Sequence, residues 1–439
     1  MANIDEALER ATDTKGLLIA DGAVAGVAGM FKRMFPGLRP IVVADTTTWG
    51  VAGERVNTLL SEEELRPDEP FIFTDKDIHA EWKYVEELDS VLSGTDAVAV
   101  AVGSGTVNDL SKLSSFRCGK RYMCVATAAS MDGYTSYGAS ITKDGAKQTF
   151  NCPAPLALVA DTGIIAKAPA AMTASGYADL FAKIPAGADW IVSEELGVEP
   201  IDPFSWGLVQ DSLKMALENP ERIKAGEKDA VHGLIEGLVM SGFAMQAHQT
   251  SRPASGADHQ FSHLWNMEHH VMADGTMPSH GFQVSIGSLM STALYEEMLK
   301  EDFPALDIEA CVRAWPSLEE QKDEALEMFR DTDFPTIGDK EITAKYIDRE
   351  ALRAQLTVLK ENWPRIRERV QAQLIPLGEA RRRLAAVGAP VESEQIGISR
   401  ERLRSSVIRA QKIRRRFTIL DIAVRANLLD KWLDNVFGE

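Results

Sequence analysis

The sequence predicts an α/β domain with a doubly wound parallel sheet, followed by an all-helical domain. In the first third of the chain, short apolar runs rich in β-branched residues alternate with amphipathic helical patterns. Strands that are apolar on both faces are typical of a parallel sheet covered by helices on both sides. From about residue 168 the pattern changes to long helical segments punctuated by Pro and Gly. We therefore predict an α/β domain over residues 1–167 and a helical domain over residues 168–439.

The elements of this prediction follow the chain in order. Strand-like runs occupy residues 17–21, 40–45, 71–75, 97–105 and 122–128. Amphipathic helical patterns lie between them at residues 49–64 and 78–94. Residues 136–161 predict a hairpin that turns at Lys143, Asp144 and Gly145, followed by a further strand. In the second domain the helical patterns cover residues 169–195, 228–249 and 353–374.

Composition limits the kinds of partner. The 439 residues include 47 basic and 65 acidic side chains, and the net charge of −18 disfavours binding to nucleic acid or to an anionic membrane. The longest apolar stretch, residues 22–31, is too short to span a bilayer. The polar, acidic start has no secretory-signal pattern, and the four cysteines form no CxxC pair. We expect a cytoplasmic protein with reduced thiols.

A glycine loop joins the fourth strand-like run to a helical pattern. It consists of Gly103, Ser104, Gly105, Thr106, Val107, Asn108 and Asp109. Its glycines would let backbone N–H groups at a helix N-terminus approach a phosphate, but a plain tight turn explains the same residues. The loop lacks the last glycine of the Rossmann fingerprint and the Lys-Ser/Thr pair of a P-loop.

Polar side chains follow the next strand-like run. Thr127 and Ser130 could hydrogen-bond a phosphate or a ribose, and Asp132 could face a polyol hydroxyl. The alternative for Asp132 is a simple turn formed with Gly133.

Five of the eight histidines lie within 22 positions of the chain: His259, His263, His269, His270 and His280. His259 and His263 are four residues apart, which places them on one face of a helix. Neutral imidazoles with a carboxylate are typical of transition-metal sites, whereas ordinary core or surface roles are the alternative. Asp179 is the candidate carboxylate, because it interrupts an apolar helical pattern where an unpaired charge is costly. A helix cap or an ion pair with Lys183 would also explain it.

Five segments, in this order, resemble the sn-glycerol-1-phosphate dehydrogenases: GSGTVNDLSK, TAASMDGYTS, SGYADLFAK, SRPASGADHQFSH and SHGFQVSIG. That family belongs to the superfamily of iron-containing alcohol dehydrogenases, glycerol dehydrogenases and dehydroquinate synthases. Residues 396–429 are similar to the tail of its bacterial, AraM-like members. The resemblance implies a dehydroquinate synthase-like fold, in which residues 1–167 bind a dinucleotide and residues 168–439 bind metal and substrate.

The resemblance also implies roles for individual residues. The implied metal ligands are Asp179, His259 and His280. The implied cofactor contacts are the loop from Gly103 to Asp109 together with Thr127, Ser130 and Ser136. The implied substrate residues are Asp132, Asp179 and His263, of which Asp132 and His263 are the catalytic candidates.

The sequence departs from the family pattern at two positions. One indicates the kind of metal, and the other indicates whether the chain resembles the bacterial or the archaeal branch of the family. Lys183 stands where iron-dependent alcohol dehydrogenases have a histidine, four residues after the ligand aspartate. The resulting three-ligand set favours zinc or nickel over iron. Met131 precedes Asp132 where archaeal members often have histidine, which indicates the bacterial branch.

The implied activity is NAD(P)-dependent interconversion of dihydroxyacetone phosphate and sn-glycerol 1-phosphate, a step of phospholipid metabolism, by a homodimer. The metal would polarise the carbonyl, while His263 or a metal-bound water relays a proton and Asp132 orients a hydroxyl. Arg252 could bind the phosphate in a bidentate manner; its alternative is a surface ion pair. Asp45, after an early strand, could accept bonds from the adenosine ribose and favour NAD over NADP. Its alternative is to cap a helix that starts near Thr47.

Three other functions stay open. A lyase of the dehydroquinate synthase type would use the same metal and cofactor but would release phosphate and close a ring. A dehydrogenase could act on a different polyol or polyol phosphate. A binding protein could use the basic residues of 400–416 to contact nucleic acid. Leu and Ile interleave these charges at helical spacing, however, as on a solvated helix face.

Overall fold

The computed structural model of the protein describes residues 4–76, 78–143 and 146–438. Contacts among them define two compact units. Unit 1 comprises the described residues of Met1–Leu180, Pro203–Ser251 and Ala386–Gly388. Unit 2 comprises those of Phe181–Asp202, Arg252–Ala385 and Ala389–Glu439. Within the described ranges, no helix combines the length and apolar character needed to cross a membrane.

The described strands all lie in unit 1. They are β1 Gly16–Ala20, β2 Pro40–Asp45, β3 Phe71–Phe73, β4 Val98–Gly103, β5 Met123–Ala126, β6 Ala139–Lys143, β7 Ala146–Phe150 and β8 Ala157–Asp161. Six of them form a parallel sheet in the order β1-β8-β5-β4-β2-β3, and β6 pairs with β7 in a separate antiparallel hairpin. The predicted strands and hairpin are confirmed, while Asp144 and Gly145 of the predicted turn lie outside the described residues.

Helices connect the strands and form all of unit 2's regular structure within the described residues. The first eight are α1 Ile4–Arg10, α2 Val27–Met34, α3 Thr46–Thr48, α4 Glu54–Glu62, α5 Trp82–Ser93, α6 Gly105–Arg117, α7 Thr162–Ile165 and α8 Ala170–Phe181. The next six are α9 Lys183–Glu195, α10 Pro203–Ala216, α11 Pro220–Lys224, α12 Lys228–His248, α13 Ala257–Met267 and α14 His280–Lys300. The last eight are α15 Ile308–Ala314, α16 Leu318–Phe329, α17 Ile337–Lys345, α18 Arg349–Gln373, α19 Leu377–Val387, α20 Arg400–Lys412, α21 Ile419–Arg425 and α22 Leu429–Phe437.

The central strands β4, β5 and β8 are buried along their whole length. Their Val, Ala, Leu and Met side chains point alternately to the two faces of the sheet, and each face is covered, which is why the apolar runs are continuous rather than alternating. Burial of apolar side chains on both faces thus stabilises the sheet, and the loops described below follow its strands.

Helices α10 to α12 group with unit 1, although they follow the predicted boundary at residues 167 and 168. Two hydrogen bonds explain part of this grouping. Thr135 Oγ1 donates to the Val239 carbonyl at 2.8 Å, and Gln246 Nε2 donates to the Thr135 carbonyl at 2.6 Å. The predicted change to helical structure near residue 168 is confirmed, whereas the assignment of cofactor and metal binding to the two sides of that boundary stays a prediction.

Lys112 on α6 fixes the segment that follows β5. Its ammonium group is buried and donates to the carbonyl oxygens of Gly133 at 2.9 Å, Ser136 at 3.1 Å and Gly138 at 3.0 Å. A buried ammonium group is tolerated only when its donors are satisfied in this way. The three bonds therefore hold the backbone around Asp132 at a fixed distance from α6.

Gly176 allows α8 to pack directly against the same segment. A Cβ atom at this position would lie 2.0 Å from the carbonyl oxygen of Ala129. The preceding residue, Ser175, also binds the segment after β5: its Oγ donates to the Ser130 carbonyl at 3.1 Å. Helix α8 carries Asp179, so this close contact helps to position that carboxylate.

We expect Gly176→Ala to lower the free energy of unfolding by about 3 kcal/mol, because the added methyl group must displace backbone atoms. Gly29→Ala is the matched control, since Gly29 also lies in a helix but a Cβ there would meet no atom within 4 Å. The control should be unchanged or up to about 1 kcal/mol more stable. Urea denaturation of both variants measures the difference, and equal stabilities would contradict the packing described for Gly176.

Candidate metal centre and cofactor loops

The carboxyl ends of β2, β4 and β5 lie at one edge of the sheet, because parallel strands run in one direction. These strands end at Asp45, Gly103 and Ala126, and Gly103 pairs with Ala126 across the sheet. In doubly wound folds, ligands bind outside this edge. The structure thus brings the starts of the loops with the predicted cofactor residues to the edge where a cofactor is expected.

The glycine loop passes directly from β4 into α6. Ser104 is the N-cap residue with extended backbone, and within the described chain its side chain makes no capping bond. The first-turn N–H groups of a helix attract anions when no side chain caps them. Ser104, Gly105 and Thr106 are half-buried, so this helix start is accessible. Gly103 has a packing role, since a Cβ there would lie 2.6 Å from the Cβ atom of Val107.

The last two polar residues of the loop have structural partners. Asn108 Oδ1 accepts a hydrogen bond from the Tyr122 hydroxyl at 2.9 Å. Asp109 Oδ2 accepts one from the Ser140 backbone N–H at 3.1 Å, and its Oδ1 lies 3.5 Å from Lys112 Nζ. The interpretation of the loop as a tight strand-to-helix turn is therefore confirmed. Its contacts with a cofactor stay a prediction.

The hydroxyl residues after β5 are also tied to the backbone. Thr127 is buried, and its N–H donates to the Gly103 carbonyl at 3.1 Å. Ser136 Oγ donates to the Gly133 carbonyl at 3.0 Å. Ser130 is half-buried. Cofactor contacts of Thr127, Ser130 and Ser136 stay predictions.

Asp45 caps a helix, as one of the two interpretations of this residue predicts. Its Oδ1 accepts from the Thr48 N–H at 2.7 Å, and Thr48 Oγ1 accepts from the Asp45 N–H at 3.1 Å. This reciprocal capping box begins α3 at Thr46, one residue before the predicted start. The proposed bond to a ribose stays a prediction.

Asp132 and Asp179 are linked through the backbone. The predicted turn at Asp132 is present as a short 3-10 helix, Gly133–Thr135. Ser241 Oγ donates to Asp132 Oδ2 at 2.9 Å, and the Asp132 N–H donates to Asp179 Oδ2 at 2.9 Å. Asp179 is fully buried near the end of α8. An N–H donor at this carboxylate stabilises its charged form, which is the form that binds a metal ion.

Helix α13 and the first residue of α14 bring the candidate histidines together in unit 2. Helix α13 carries His259 and His263, whose ring centroids are 6.5 Å apart. His280 begins α14, and its ring centroid lies 5.2 Å from that of His259. Asp258 accepts a hydrogen bond from Nδ1 of His259, and Ser262 Oγ lies 3.2 Å from Nδ1 of His280. Partners at one ring nitrogen orient the other, as is usual for imidazoles that bind metals.

His269 and His270 have ordinary structural roles. His270 is buried, and its Nε2 donates to the Ile396 carbonyl at 2.6 Å. Burial lowers the pKa of His270, and Arg402 donates to its Nδ1 at 2.8 Å. His269 is exposed and lies 2.8 Å from Asp333. The structural alternative is confirmed for these two histidines.

Among the described residues, Asp179, His259 and His280 form a group with the spacing of a metal site. Each offers one ligand atom, and these atoms all lie within 4.8 Å of one another. One carboxylate and two imidazoles are a common donor set for a catalytic metal with an open coordination position.

Comparison with known proteins identifies the family. The model of the iron-containing alcohol dehydrogenase family matches residues 18–169. A glycerol-1-phosphate dehydrogenase, NAD(P)+, from Halalkalibacterium halodurans is 37% identical over 265 residues, which are 59% of this chain and 65% of that protein. One from Bacillus licheniformis is 32% identical over 301 residues, which are 68% of this chain and 74% of that protein. The chain belongs to the glycerol-1-phosphate dehydrogenase family.

Solved structures share the fold of this family member. A glycerol dehydrogenase from Schizosaccharomyces pombe has a TM-score of 0.59 at 16% identity, covering 97% of this chain and 92% of that one. A probable glycerol dehydrogenase from Sinorhizobium meliloti has a TM-score of 0.57 at 17% identity, covering 96% and 98%. These likenesses confirm the predicted combination of a doubly wound α/β part with a helical part.

Arg252 is buried in this member of the family, so the ion pair predicted as its alternative is present but does not lie at the surface. Only 1% of the residue is exposed. Its guanidinium group donates to the carbonyls of Phe417 at 3.1 Å and Asp189 at 3.0 Å, and its Nε lies 3.1 Å from Glu199. The bonds connect segments that are distant in the sequence. A phosphate contact of Arg252 stays a prediction.

The basic segment 400–416 is largely neutralised by carboxylates. Arg402 and Arg409 each lie 3.0 Å from a carboxylate oxygen of Glu268, and Arg404 lies 2.6 Å from Asp434. A nucleic-acid site needs positive charge that is free to meet phosphates. The pairing therefore disfavours the nucleic-acid alternative and favours the structural helix face.

Asp189 is a central residue that the motifs did not identify. It is fully buried in α9; its Oδ1 accepts from the Tyr295 hydroxyl and the Ile419 N–H, both at 2.7 Å. Its Oδ2 accepts from the N–H of Ala257, the first residue of α13, also at 2.7 Å. Burial raises the pKa of Asp189 to about 7. The sequence signal is an aspartate within an apolar helical pattern, the same signal that marked Asp179.

The raised pKa of Asp189 makes stability depend on pH. An unfolded aspartate titrates near 4, so the folded state binds the proton more tightly. The resulting stabilisation is present below about pH 4 and is lost as the pH rises to about 7. Asp189→Asn removes this titration, so the free energy of unfolding should change less between pH 4 and 7 than in the wild type.

The same variant should be about 1–3 kcal/mol less stable at pH 5, because an amide cannot accept bonds from all three donors. Urea denaturation across pH 4–8 measures both effects, and Asp323→Asn, on the exposed face of α16, is the control. A wild type and an Asp189→Asn variant with parallel pH profiles would contradict the titration of Asp189 in this range.

Proposed function

We propose that this protein is a metal-dependent oxidoreductase that interconverts dihydroxyacetone phosphate and sn-glycerol 1-phosphate with NAD(P). The observation that supports this most is the grouping of Asp179, His259 and His280 in a chain whose relatives are named glycerol-1-phosphate dehydrogenases. The names of those relatives also include NAD(P)+. We further propose that the protein acts in the cytoplasm as a homodimer.

Asp179, His259 and His280 would hold the metal ion, and the donor chemistry of these residues fits that role. Asp258 and Ser262 orient the two imidazoles, and the Asp132 N–H stabilises the Asp179 carboxylate. When bound, the metal supplies a Lewis acid that polarises the substrate carbonyl. Lys183 stands where iron-dependent alcohol dehydrogenases have a fourth ligand, and the remaining three-ligand set favours zinc or nickel over iron.

His263 and Asp132 would act on the substrate itself. His263 lies one helical turn from His259 on the same face of α13, so it can hold or deliver a proton at the substrate oxygen. Asp132 is held by Ser241 and can orient a substrate hydroxyl through its carboxylate. Asp179 would also lie beside the substrate as a metal ligand.

The cofactor would bind at the carboxyl edge of the sheet in unit 1. The half-buried start of α6 at Ser104, Gly105 and Thr106 fits a pyrophosphate, because its first N–H groups face an accessible helix end. Asp45 would accept bonds from the adenosine ribose, which favours NAD over NADP. Its capping bond to Thr48 fixes the carboxylate at the end of β2 for this purpose.

Two other enzyme classes are less favoured. A phosphate-eliminating lyase of the dehydroquinate synthase type would use a similar metal and cofactor, but the relatives are named dehydrogenases. A dehydrogenase for an unphosphorylated polyol would not need positive charge beside its histidines, and such charge is present, as described below.

The proposed reaction is tested with purified protein reconstituted with zinc or nickel. NADH oxidation followed at 340 nm should give a kcat/KM for dihydroxyacetone phosphate about 100-fold or more above that for dihydroxyacetone, because phosphate contacts contribute binding energy to the transition state. Stereospecific analysis should identify sn-glycerol 1-phosphate as the product. Equal efficiency with both ketones would refute the phosphate requirement and indicate a glycerol-type dehydrogenase.

The metal assignment is tested with His259→Ala and His280→Ala. Each variant should lose bound metal in elemental analysis and should lose activity by about 10³-fold or more, since the Lewis acid is gone. His269→Ala is the matched control, because His269 is exposed and pairs with Asp333. If His280→Ala protein retained full metal content, His280 would not be a ligand.

A further inference from the structure

Three arginines of unit 2 act on one another electrostatically, and one of them, Arg414, contacts His263. Arg252 is buried, and Arg414 and Arg416 are half-buried. Arg416 donates to the Ser255 carbonyl at 2.7 Å, while Arg414 donates to Nε2 of His263 at 2.9 Å. Arg414 thus lies in the same unit as His259 and His280 and contacts the histidine on the neighbouring turn of α13.

Arg414 differs from the other arginines of its segment in its partners. Arg415, the next residue, lies 2.9 Å from a carboxylate oxygen of Glu341, and Arg404 lies 2.6 Å from Asp434. Within the described ranges, the guanidinium group of Arg414 has no carboxylate within 4.0 Å. Burial lowers the pKa of Arg414, and the charge of Glu341, which is paired with Arg415, offsets only part of this effect. Its position therefore favours an anion supplied from outside the chain.

Arg416 is close enough to the other two arginines for their charges to repel it. Burial lowers the pKa of Arg416 to about 9, and the charges of Arg252 and Arg414 act in the same direction. The carboxylates nearest to this group are already engaged, Glu199 with Arg252 and Asp258 with His259. A bound dianion would reduce the repulsion among the three arginines.

The hydrogen bond to His263 leaves most of the Arg414 donors for a ligand. A guanidinium group has five N–H donors and accepts no hydrogen bond, so His263 accepts at Nε2 and carries its proton at Nδ1. The planar donor pairs of arginine match two phosphate oxygens at once. In a three-carbon ketose phosphate, only three bonds separate the carbonyl carbon from phosphorus. One ligand can therefore reach both the imidazole pair of His259 and His280 and the side chain of Arg414.

We propose that Arg414 recognises the phosphate group of the substrate, and that Arg252 and Arg416 provide the surrounding positive charge. This inference rests on the proposed function above and adds the residue that determines its specificity for a phosphorylated ketose. Arg414 also positions His263, so the two effects must be separated by experiment.

Phosphate recognition and positioning of His263 are separated by comparing two substrates, with a variant of the neighbouring residue Arg415 as the control. Arg414→Gln should lower kcat/KM for dihydroxyacetone phosphate by about 100-fold but kcat/KM for dihydroxyacetone by only about tenfold, the part that reflects the lost bond to His263. Arg414→Lys, which keeps the charge but not the paired donors, should lose selectivity to an intermediate degree. Arg415→Gln removes the same charge one residue away and should leave both values unchanged. Equal losses on both ketones would assign Arg414 to positioning of His263 and would overturn the proposal.

Phosphate binding separates this proposal from the proposed function. Isothermal titration of the metal-loaded protein with inorganic phosphate should show binding to the wild type and to Arg415→Gln, and at least tenfold weaker binding to Arg414→Gln. If the wild type binds phosphate through Arg414 but reduces neither ketone, the reaction is wrong and the phosphate site stands. If the wild type reduces dihydroxyacetone phosphate and Arg414→Gln binds phosphate normally, the reaction stands and the role of Arg414 is refuted. Arg414→Lys gives the same comparison if the glutamine variant does not fold.

Discussion

The arrangement of the helical unit depends on the hydrogen bonds to the buried carboxyl group of Asp189. Enclosing a charge in an apolar interior is unfavourable unless hydrogen-bond donors replace its water. The donors come from the first residues of α13 and α21 and from the side chain of Tyr295 on α14. Each donor must stay in place for the carboxylate to remain satisfied, so four helices are held in one arrangement. Helix α13 carries His259 and His263, whose positions are therefore set by a residue that touches neither of them.

Unit 1 contains the opposite arrangement, an enclosed cation held by carbonyl oxygens. Lys112 binds three carbonyls of the segment that carries Asp132. Apolar packing alone specifies a compact segment but few exact distances, whereas a satisfied buried charge has only one geometry of low energy. In both units a buried ionisable side chain with satisfied hydrogen bonds thus positions a segment that contains predicted functional residues, while the apolar core packs around it.

The sequence predicted those parts of the structure that depend on neighbouring residues. Continuous apolar runs predicted the strands, and the glycines of Gly103–Asp109 predicted the junction between β4 and α6. The grouping of α10 to α12 with unit 1 was not predicted, because it depends on bonds such as Thr135 to Val239, which span 104 positions. The burial of Arg252 was missed for the same reason, since its partner Phe417 is 165 positions away. At the candidate site, the resemblance named Asp179, His259 and His280, but Asp258, Asp189 and Arg414 emerged only from contacts in three dimensions.

The bond between Asp189 and Ile419 has a consequence for how the protein is made. The two residues are 230 positions apart, and the six segments of the two units alternate along the chain. During synthesis, α9 leaves the ribosome long before α21 exists. The Asp189 carboxylate therefore stays hydrated until the N–H group of Ile419 becomes available. Contacts this distant in sequence slow folding, because the intervening chain loses much freedom before they form. The helical unit should therefore reach its native state only after α21 has been synthesised, and its apolar helices are exposed to aggregation until then.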